Sequence, residues 1–451
     1  MSERTREKNT TPEEALARIV ARLPAGVRWE EEPRVVRLET ALEHADPLRW
    51  LSGRIERPRI YWAARDGSLE IAASGMADVV GGMPEPAGIL PRGARYYGGI
   101  RFDPGRKVDP EWEDFGSARF VLPRFELVRE GERTVMACNL VMPGDATRLE
   151  EVARAARRVA SEPEGGACGV ALPEPVFRED LPGAGEWAED VRRALSTFSA
   201  GGLEKVVLAR RVSLYSQEDY DPLALLGGLA PVTPGCFRFL FEPGGGVAFV
   251  VASPERLFRM EGAEVVSEAV AGTRPRGLSE SEDAGLRDEL LGSEKDLREH
   301  GYVRKSIGEV LGRFCTEVEV APGPEEFVLA QGRHLRSPIR GSLRAGVSPR
   351  DVLEALHPTP AVGGWPRDEA ISLIRELEPF DRGWYAGPVG WVGAEDAEFA
   401  VGIRSALVRG NEVHLFSGNG IVEGSDPERE WDELEGKLGA FAKVLGFGPS
   451  G

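Results

Sequence analysis

Apolar positions recur at helical spacing over 12–23, where Ala15, Ile19, Val20 and Leu23 share one side, and a short helix is predicted there behind a polar start over 1–11 that should fray. Over 34–140 the pattern turns to strands. Ile60-Tyr-Trp-Ala63 and Leu69-Glu-Ile-Ala72 flank Asp66-Gly67, a hairpin signal because such a pair accepts the positive φ of a tight turn. The stretches 96–102 and 118–128 predict further sheet, and 146–161 a helix. Residues 162–185 are rich in Gly and Pro, which fits either an interdomain linker or a surface excursion within one domain. Trp187, Val191, Leu195 and Phe198 then form a helical stripe stopped by Gly201-Gly202, and a strand follows over 205–210. Strands at 237–241 and 247–251 flank Pro243-Gly-Gly-Gly246. With no helix start behind those glycines, a hairpin is expected rather than a phosphate loop.

A long helix is predicted over 281–314 with Val303, Ile307, Val310 and Phe314 inward. The last helix opens at Ser425-Asp426-Pro427-Glu428, an Asp cap with Pro in the first turn, and buries Trp431, Leu434, Leu438 and Phe441. Strands come in runs with helices between them rather than in βαβ alternation. The fold class expected is therefore α+β with large antiparallel sheets.

At 451 residues the chain should bury about three-quarters of its unfolded surface without stapling. Its 74 acidic and 56 basic residues leave a net charge of −18, which disfavours nucleic acid and an anionic membrane surface as partners. The charged N-terminus has no apolar core of a signal peptide, and no apolar run approaches the roughly 18–20 residues of a membrane span. Cys138, Cys168, Cys236 and Cys315 are widely spaced with no C-x-x-C, as for free thiols in a reducing cytoplasm.

Two acidic pairs change the picture. Asp296 and Glu299 in one predicted helix, and Glu430 and Glu433 in another, each have i, i+3 spacing, so each pair shares a helix face. If the two helices face each other, four carboxylates meet. Such hard oxygens without Cys or His suit Mg²⁺.

Much of the second half resembles the chorismate-utilising enzymes, the isochorismate, salicylate, anthranilate and aminodeoxychorismate synthases. The likeness rests on Lys205-Val-Val-Leu-Ala-Arg210, Ser253-Pro-Glu-Arg-Leu257, Ala271-Gly-Thr-Arg-Pro-Arg-Gly277, Lys295-Asp-Leu-Arg-Glu-His300 and His334-Leu335. It continues through Leu356-His-Pro-Thr-Pro-Ala-Val-Gly-Gly364, Arg382-Gly-Trp-Tyr-Ala-Gly-Pro-Val-Gly390 and Ser417-Gly-Asn-Gly-Ile-Val-Glu-Gly-Ser-Asp-Pro-Glu428. Tyr61-Trp62 and Tyr97-Gly-Gly99 extend it loosely into the first half. The resemblance implies a single large domain of the anthranilate synthase component I-like, chorismate-binding fold. Residues 1–180 would form its less family-specific N-terminal part and 181–451 the catalytic part, with no true linker at 162–185.

By that resemblance Lys205 is the base that activates water for attack at C2 of chorismate, and Glu255 the acid that protonates the departing C4 hydroxyl. A free lysine holds its proton to about pH 10.4, so such a base calls for burial and neighbouring cations. The acid calls for burial that keeps its proton on. Glu299 and Glu433 match direct Mg²⁺ ligands, and Asp296 and Glu430 the pair that orients the metal's waters. Arg404 and Tyr385 match residues that hold the enolpyruvyl carboxylate, Lys437 faces the ring carboxylate, and Gly272, Thr273, His334, Gly418 and Gly420 match further substrate contacts.

Lys at position 205 and Ala271 before Gly272-Thr273, where aminodeoxychorismate synthases carry a nucleophilic lysine, favour hydroxyl exchange over amination. The resemblance is strongest to the isochorismate synthases, which isomerise chorismate and feed menaquinone or siderophore synthesis. No glutamine amidotransferase subunit is then expected. The alternatives are a salicylate synthase, which adds pyruvate elimination, and an inactive chorismate-binding protein. Ala361-Val-Gly-Gly364 favours the isochorismate synthases over the salicylate synthases. Asn419 departs from the alanine usual between the two glycines, and Val270 from the usual leucine.

Overall fold

The computed structural model describes residues 10–23, 34–85, 89–166, 169–330 and 332–448. Every strand pairing among them is antiparallel, in keeping with the expected α+β class. The strand Ala118–Glu130 is the branch point. One edge pairs with Leu69–Val80, while the other is shared between Tyr96–Ile100 and Arg133–Met142. One arm runs from Leu69–Val80 through Arg59–Ala63, Phe237–Gly244, Val247–Ser253, Ser405–Arg409 and Glu412–Val422 to Lys205–Tyr215. The other runs from Tyr96–Ile100 through Pro388–Val392, Asp396–Val401, Arg256–Glu261 and Glu264–Arg274 to Gly332–Leu343. Strands from the first 130 residues are thus hydrogen-bonded directly to strands from the second half.

Period-two alternation gives the first arm two buried faces. Trp62, Phe239, Phe241 and Phe249 point into a core shared with the second arm, where Trp384 packs against Phe115 and Phe241 with ring centroids 5.1 and 5.2 Å apart. Tyr61, Leu240 and Val250 point the other way, onto the helices Pro12–Ala21, Leu149–Ser161, Pro222–Leu229 and Pro427–Leu445. The aromatic core bears on the site because Trp384 precedes Tyr385 in the chain.

Both predicted hairpins form, with Gly67 and Gly245-Gly246 at positive φ. The single helix predicted over 281–314 is two helices, Glu280–Gly292 and Glu294–Phe314. Ser293 between them is extended, and its hydroxyl accepts from the Asp296 N–H at 3.2 Å. The serine cap starts a new helix at Glu294, and it leaves Asp296 in the first turn of that helix, where a carboxylate is favoured by the helix dipole. The helix predicted from 146 starts at Leu149 after a tight turn over Gly144–Thr147. Within the 162–185 stretch, Phe177–Leu181 pairs with Lys205–Tyr215 and so belongs to the sheet. Cys138, Cys236 and Cys315 are free thiols, while Cys168 and the polar start over 1–9 lie outside the described residues. Among the described residues no helix is long and apolar enough to cross a membrane.

Candidate active site

The far ends of the two arms approach each other beneath the helices Glu294–Phe314 and Pro427–Leu445, and the sequence-predicted residues collect there. Lys205 opens its strand, in register with Val422 and Trp365. Its side chain is fully buried, and Nζ lies 3.0 Å from Glu299 Oε1. The contact is ionic without hydrogen-bond geometry, and among the described residues Nζ has no hydrogen-bond partner. Burial is as the sequence requires, but the immediate neighbour is a carboxylate rather than a cation. Gly420 makes room for this pair. A Cβ at that position would fall 2.2 Å from Glu299 Oε1 and 3.0 Å from Lys205 Cε. Gly420→Ala is therefore expected to push the two side chains apart and lower kcat about tenfold or more, because small displacements of reacting groups carry such penalties. Steady-state kinetics beside a thermal melt checks this.

Glu255 follows the strand Val247–Ser253, donates its N–H to Ser253 Oγ at 3.2 Å and accepts from the Val401 N–H at 3.1 Å. Its buried carboxyl lines the same inner pocket as Glu299. Burial, and then the nearby Glu268 carboxylate, push it up to about 8 against the pull of Lys205. It therefore carries its proton at neutral pH.

The pocket's polar wall comes from both arms. Gly272 adopts φ 75°, open to glycine, and a Cβ there would come within 3.2 Å of the Asp296 Cβ. His334 Nδ1 lies 3.0 Å from Thr273 Oγ1 and 3.3 Å from the Gly272 carbonyl. Burial, then the Arg404 and Lys437 charges, push its imidazole down to about 3, so the ring is neutral. Tyr385 stacks on Phe416 at 5.0 Å, and its hydroxyl would lie 2.7 Å from a Cβ on Gly418. Arg404 is held at φ 51° and donates from Nη1 to the Lys437 carbonyl at 3.0 Å. Lys437 Nζ sits 2.8 Å from Glu433 Oε1 and donates to the Gly418 carbonyl at 2.9 Å and to Asn419 Oδ1.

The four carboxylates reach the site but do not form one cluster. Asp296 binds Arg274 at 2.9 Å, Glu299 faces Lys205, Glu433 faces Lys437, and Glu430 pairs with Lys295 while accepting from Asn419 Nδ2 at 2.7 Å. Among the described residues no three His, Cys, Asp or Glu side chains are placed to hold a metal ion together. The physical reason is that each anion has taken a cation as its partner. Burial raises Glu430 despite Lys295. At Glu433 burial acts in the same sense, but Lys437 outweighs it and the carboxyl sits below its ordinary range. In donor chemistry the set fits a hard divalent cation, being all carboxylate oxygen. Asp296, Glu430 and Glu433 line an outer vestibule of about 1080 Å³, and Glu433, with Arg404, Lys437, Thr273 and His334, also borders the inner pocket.

Sequence reasoning assigned no role to Arg274, Lys295 or Arg382, although all three stand inside quoted motifs. Arg382 is buried, donates from Nε to Glu378 Oε2 at 2.8 Å and from Nη2 to the Val207 carbonyl at 2.7 Å, and lies over the rings of Phe102 and Tyr385. It braces Tyr385 from behind. Glu268 carried no signal in the sequence.

The description of a chorismate binding enzyme matches residues 83–446. Isochorismate synthase 2, chloroplastic, of Arabidopsis thaliana is 39% identical over 362 residues, covering 78% of this chain, and the chain spans 64% of that protein's length. Isochorismate synthase MenF of Escherichia coli (strain K12) is 32% identical over 425 residues, 91% of this chain and 94% of that one. The solved structure of MenF, the menaquinone-specific isochorismate synthase from Escherichia coli, superposes with a TM-score of 0.83 at 29% identity, over 96% of this chain and 99% of that chain. By its matched length and its shared fold, the chain belongs to the chorismate-binding enzyme family.

Proposed function

We propose that the chain is an isochorismate synthase. The observation that carries this reading is one inner pocket lined by Glu255, a buried carboxyl that keeps its proton at neutral pH, and by Glu299, whose carboxylate stands 3.0 Å from the buried amine of Lys205. In its neutral form Lys205 takes a proton from water as the water oxygen bonds to C2 of chorismate. The ring double bonds shift, the C4–O bond breaks, and Glu255 protonates the departing hydroxyl, which leaves as water. One water enters and one leaves, so the reaction is an isomerisation. Arg404 and Tyr385 hold the enolpyruvyl carboxylate, and neutral His334 with Thr273, Gly272, Gly418 and Gly420 shapes the wall around the ring. Glu299 and Glu433 would hold Mg²⁺ directly and Asp296 and Glu430 through its waters, and the bound ion would neutralise the substrate's ring carboxylate beside Lys437.

Because water rather than ammonia is the nucleophile, the reaction needs no glutamine amidotransferase subunit. The product would feed menaquinone or siderophore synthesis, with the enzyme working in the cytoplasm. Incubation with chorismate and Mg²⁺ followed by chromatography is expected to give isochorismate. Salicylate with pyruvate would replace this reading by that of a salicylate synthase, and unchanged chorismate would leave an inactive binding protein. Stripping divalent cations with EDTA is expected to slow turnover by about 100-fold or more, and added Mg²⁺ to restore it.

A further inference from the structure

Among the described residues the Glu255 carboxyl has no hydrogen-bond partner to aim it, yet the peptide on each side of it is gripped. Arg65, in the turn between the strands Arg59–Ala63 and Leu69–Val80, reaches across the sheet to this point. Its Nη1 donates to the Pro254 carbonyl at 2.8 Å and to Glu268 Oε1 at 2.5 Å, and its Nη2 donates to Glu268 Oε2 at 2.7 Å. Glu268 Oε1 also accepts from the Arg256 N–H at 3.0 Å. A single ion pair therefore fixes the residue before Glu255 and the residue after it. Glu268 is buried and Arg65 half-buried, with side-chain exposures of 5% and 12%, and the guanidinium lies 5.5 and 5.6 Å from the ring centroids of Phe237 and Phe327. A fork-to-carboxylate pair largely shielded from solvent is rigid as well as directional.

We propose that Arg65 and Glu268 are positioning residues for this reaction, a clamp on the Pro254–Arg256 peptide that keeps the Glu255 carboxyl aimed into the inner pocket. The proposal rests on the reading of Glu255 as the acid. It gives a residue of the N-terminal part of the sheet a function in the catalytic half, 189 positions away along the chain. Glu268 acts in a second way. The charged groups that bear on Glu255 are Glu268, from the strand Glu264–Arg274, and Lys205, from the opposite arm; Arg65 and Arg256 reach it through Glu268 and the peptide, and the other ionisable groups of the pocket are those described above. The Glu268 anion opposes ionisation of its neighbour and so helps to hold the proton that the leaving hydroxyl needs.

The test is the pH dependence of kcat and kcat/KM for chorismate, with Mg²⁺ present, in the full chain. Glu255→Gln comes first. If it keeps the wild-type rate and basic limb, the acid reading fails on its own account and the clamp falls with it. If that limb disappears, the clamp is tested by Glu268→Gln. Without the anion Glu255 ionises earlier, so the basic limb should move to lower pH by ~1 unit, with kcat down about tenfold. A role confined to folding would lower the melting temperature and leave the limb in place. Arg65→Lys keeps the cation but loses the fork, so kcat is expected to fall several-fold with KM and the limb unchanged. Should Glu268→Gln not fold, Arg65→Lys decides alone. Wild-type kcat in a folded Arg65→Lys protein, or an unmoved limb in folded Glu268→Gln, overturns the proposal.

Discussion

Replacing Lys205 with alanine is expected to remove turnover of chorismate almost entirely, by about 10²–10⁴ in kcat, the range typical for a positioned proton-transfer group. The amine is fully buried and, among the described residues, has no hydrogen-bond partner to divert it. Gly420 leaves only enough space for it to stand beside Glu299. Alanine also deprives Glu299 of its ionic partner, which should lower the melting temperature, since breaking a buried ion pair by removing one side leaves an uncompensated charge. Loss of activity through instability has to be separated from loss of the base, and Lys205→Arg does so. The guanidinium can still face Glu299 but does not give up a proton at ordinary pH. The arginine protein should keep more of its stability than the alanine protein and lose a comparable share of its rate. Wild-type turnover in either folded variant would remove Lys205 from the mechanism.

Glu255→Gln is expected to separate activity from stability in opposite directions. Activity should fall by about 10²–10⁴, because the amide has no proton to give the leaving hydroxyl. Wild-type activity should itself decline as pH rises through about 8, where the carboxyl ionises, and this basic limb should be missing from the residual rate of the variant. Stability should go the other way. The folded protein holds the Glu255 proton more tightly than the unfolded chain does, so the group contributes fully below the ordinary carboxyl range near 4.5. That contribution is lost as pH rises from there toward about 8. The loss accrues at about 1.4 kcal/mol per pH unit while the two states differ by one proton. Glutamine, neutral throughout, avoids it. Thermal melts at pH 5 and pH 8 should show the variant gaining on the wild type at the higher pH. A gain of equal size at both would mean that Glu255 is not protonated in the folded protein.

These effects depend on arrangements of unequal visibility along the chain. The Ser253-Pro-Glu255 and Ala271-Gly-Thr273 segments, the two acidic helices and the capped start of the last helix all stand out in short windows, and the structure brings those segments to one site. The acidic pairs were visible as pairs, since i, i+3 spacing on a helix is local. Their partners were not. Asp296 binds Arg274, 22 residues away, Glu430 binds Lys295 at a separation of 135, and the clamp joins Arg65 to Glu268 across 203. The break at Ser293 was missed for a different reason. Its cap signal was present, but the apolar positions of the next helix hid it.

What the sequence alone determined is what depends on neighbours within about a turn of chain: which stretches are strand or helix, where hairpins close, the antiparallel class, and the kinds of donor and acid on offer. Backbone hydrogen bonding and side-chain alternation repeat every few residues, so a short window contains their cause. Only the tertiary structure decided which charge stands beside which. Coulomb energy follows distance in space and the surrounding dielectric, and both are set when the sheet's two arms close over the pocket. That closure seats Lys205 against a carboxylate, gives Glu255 an anion for a neighbour, and hands each of the four metal-type carboxylates a cation of its own.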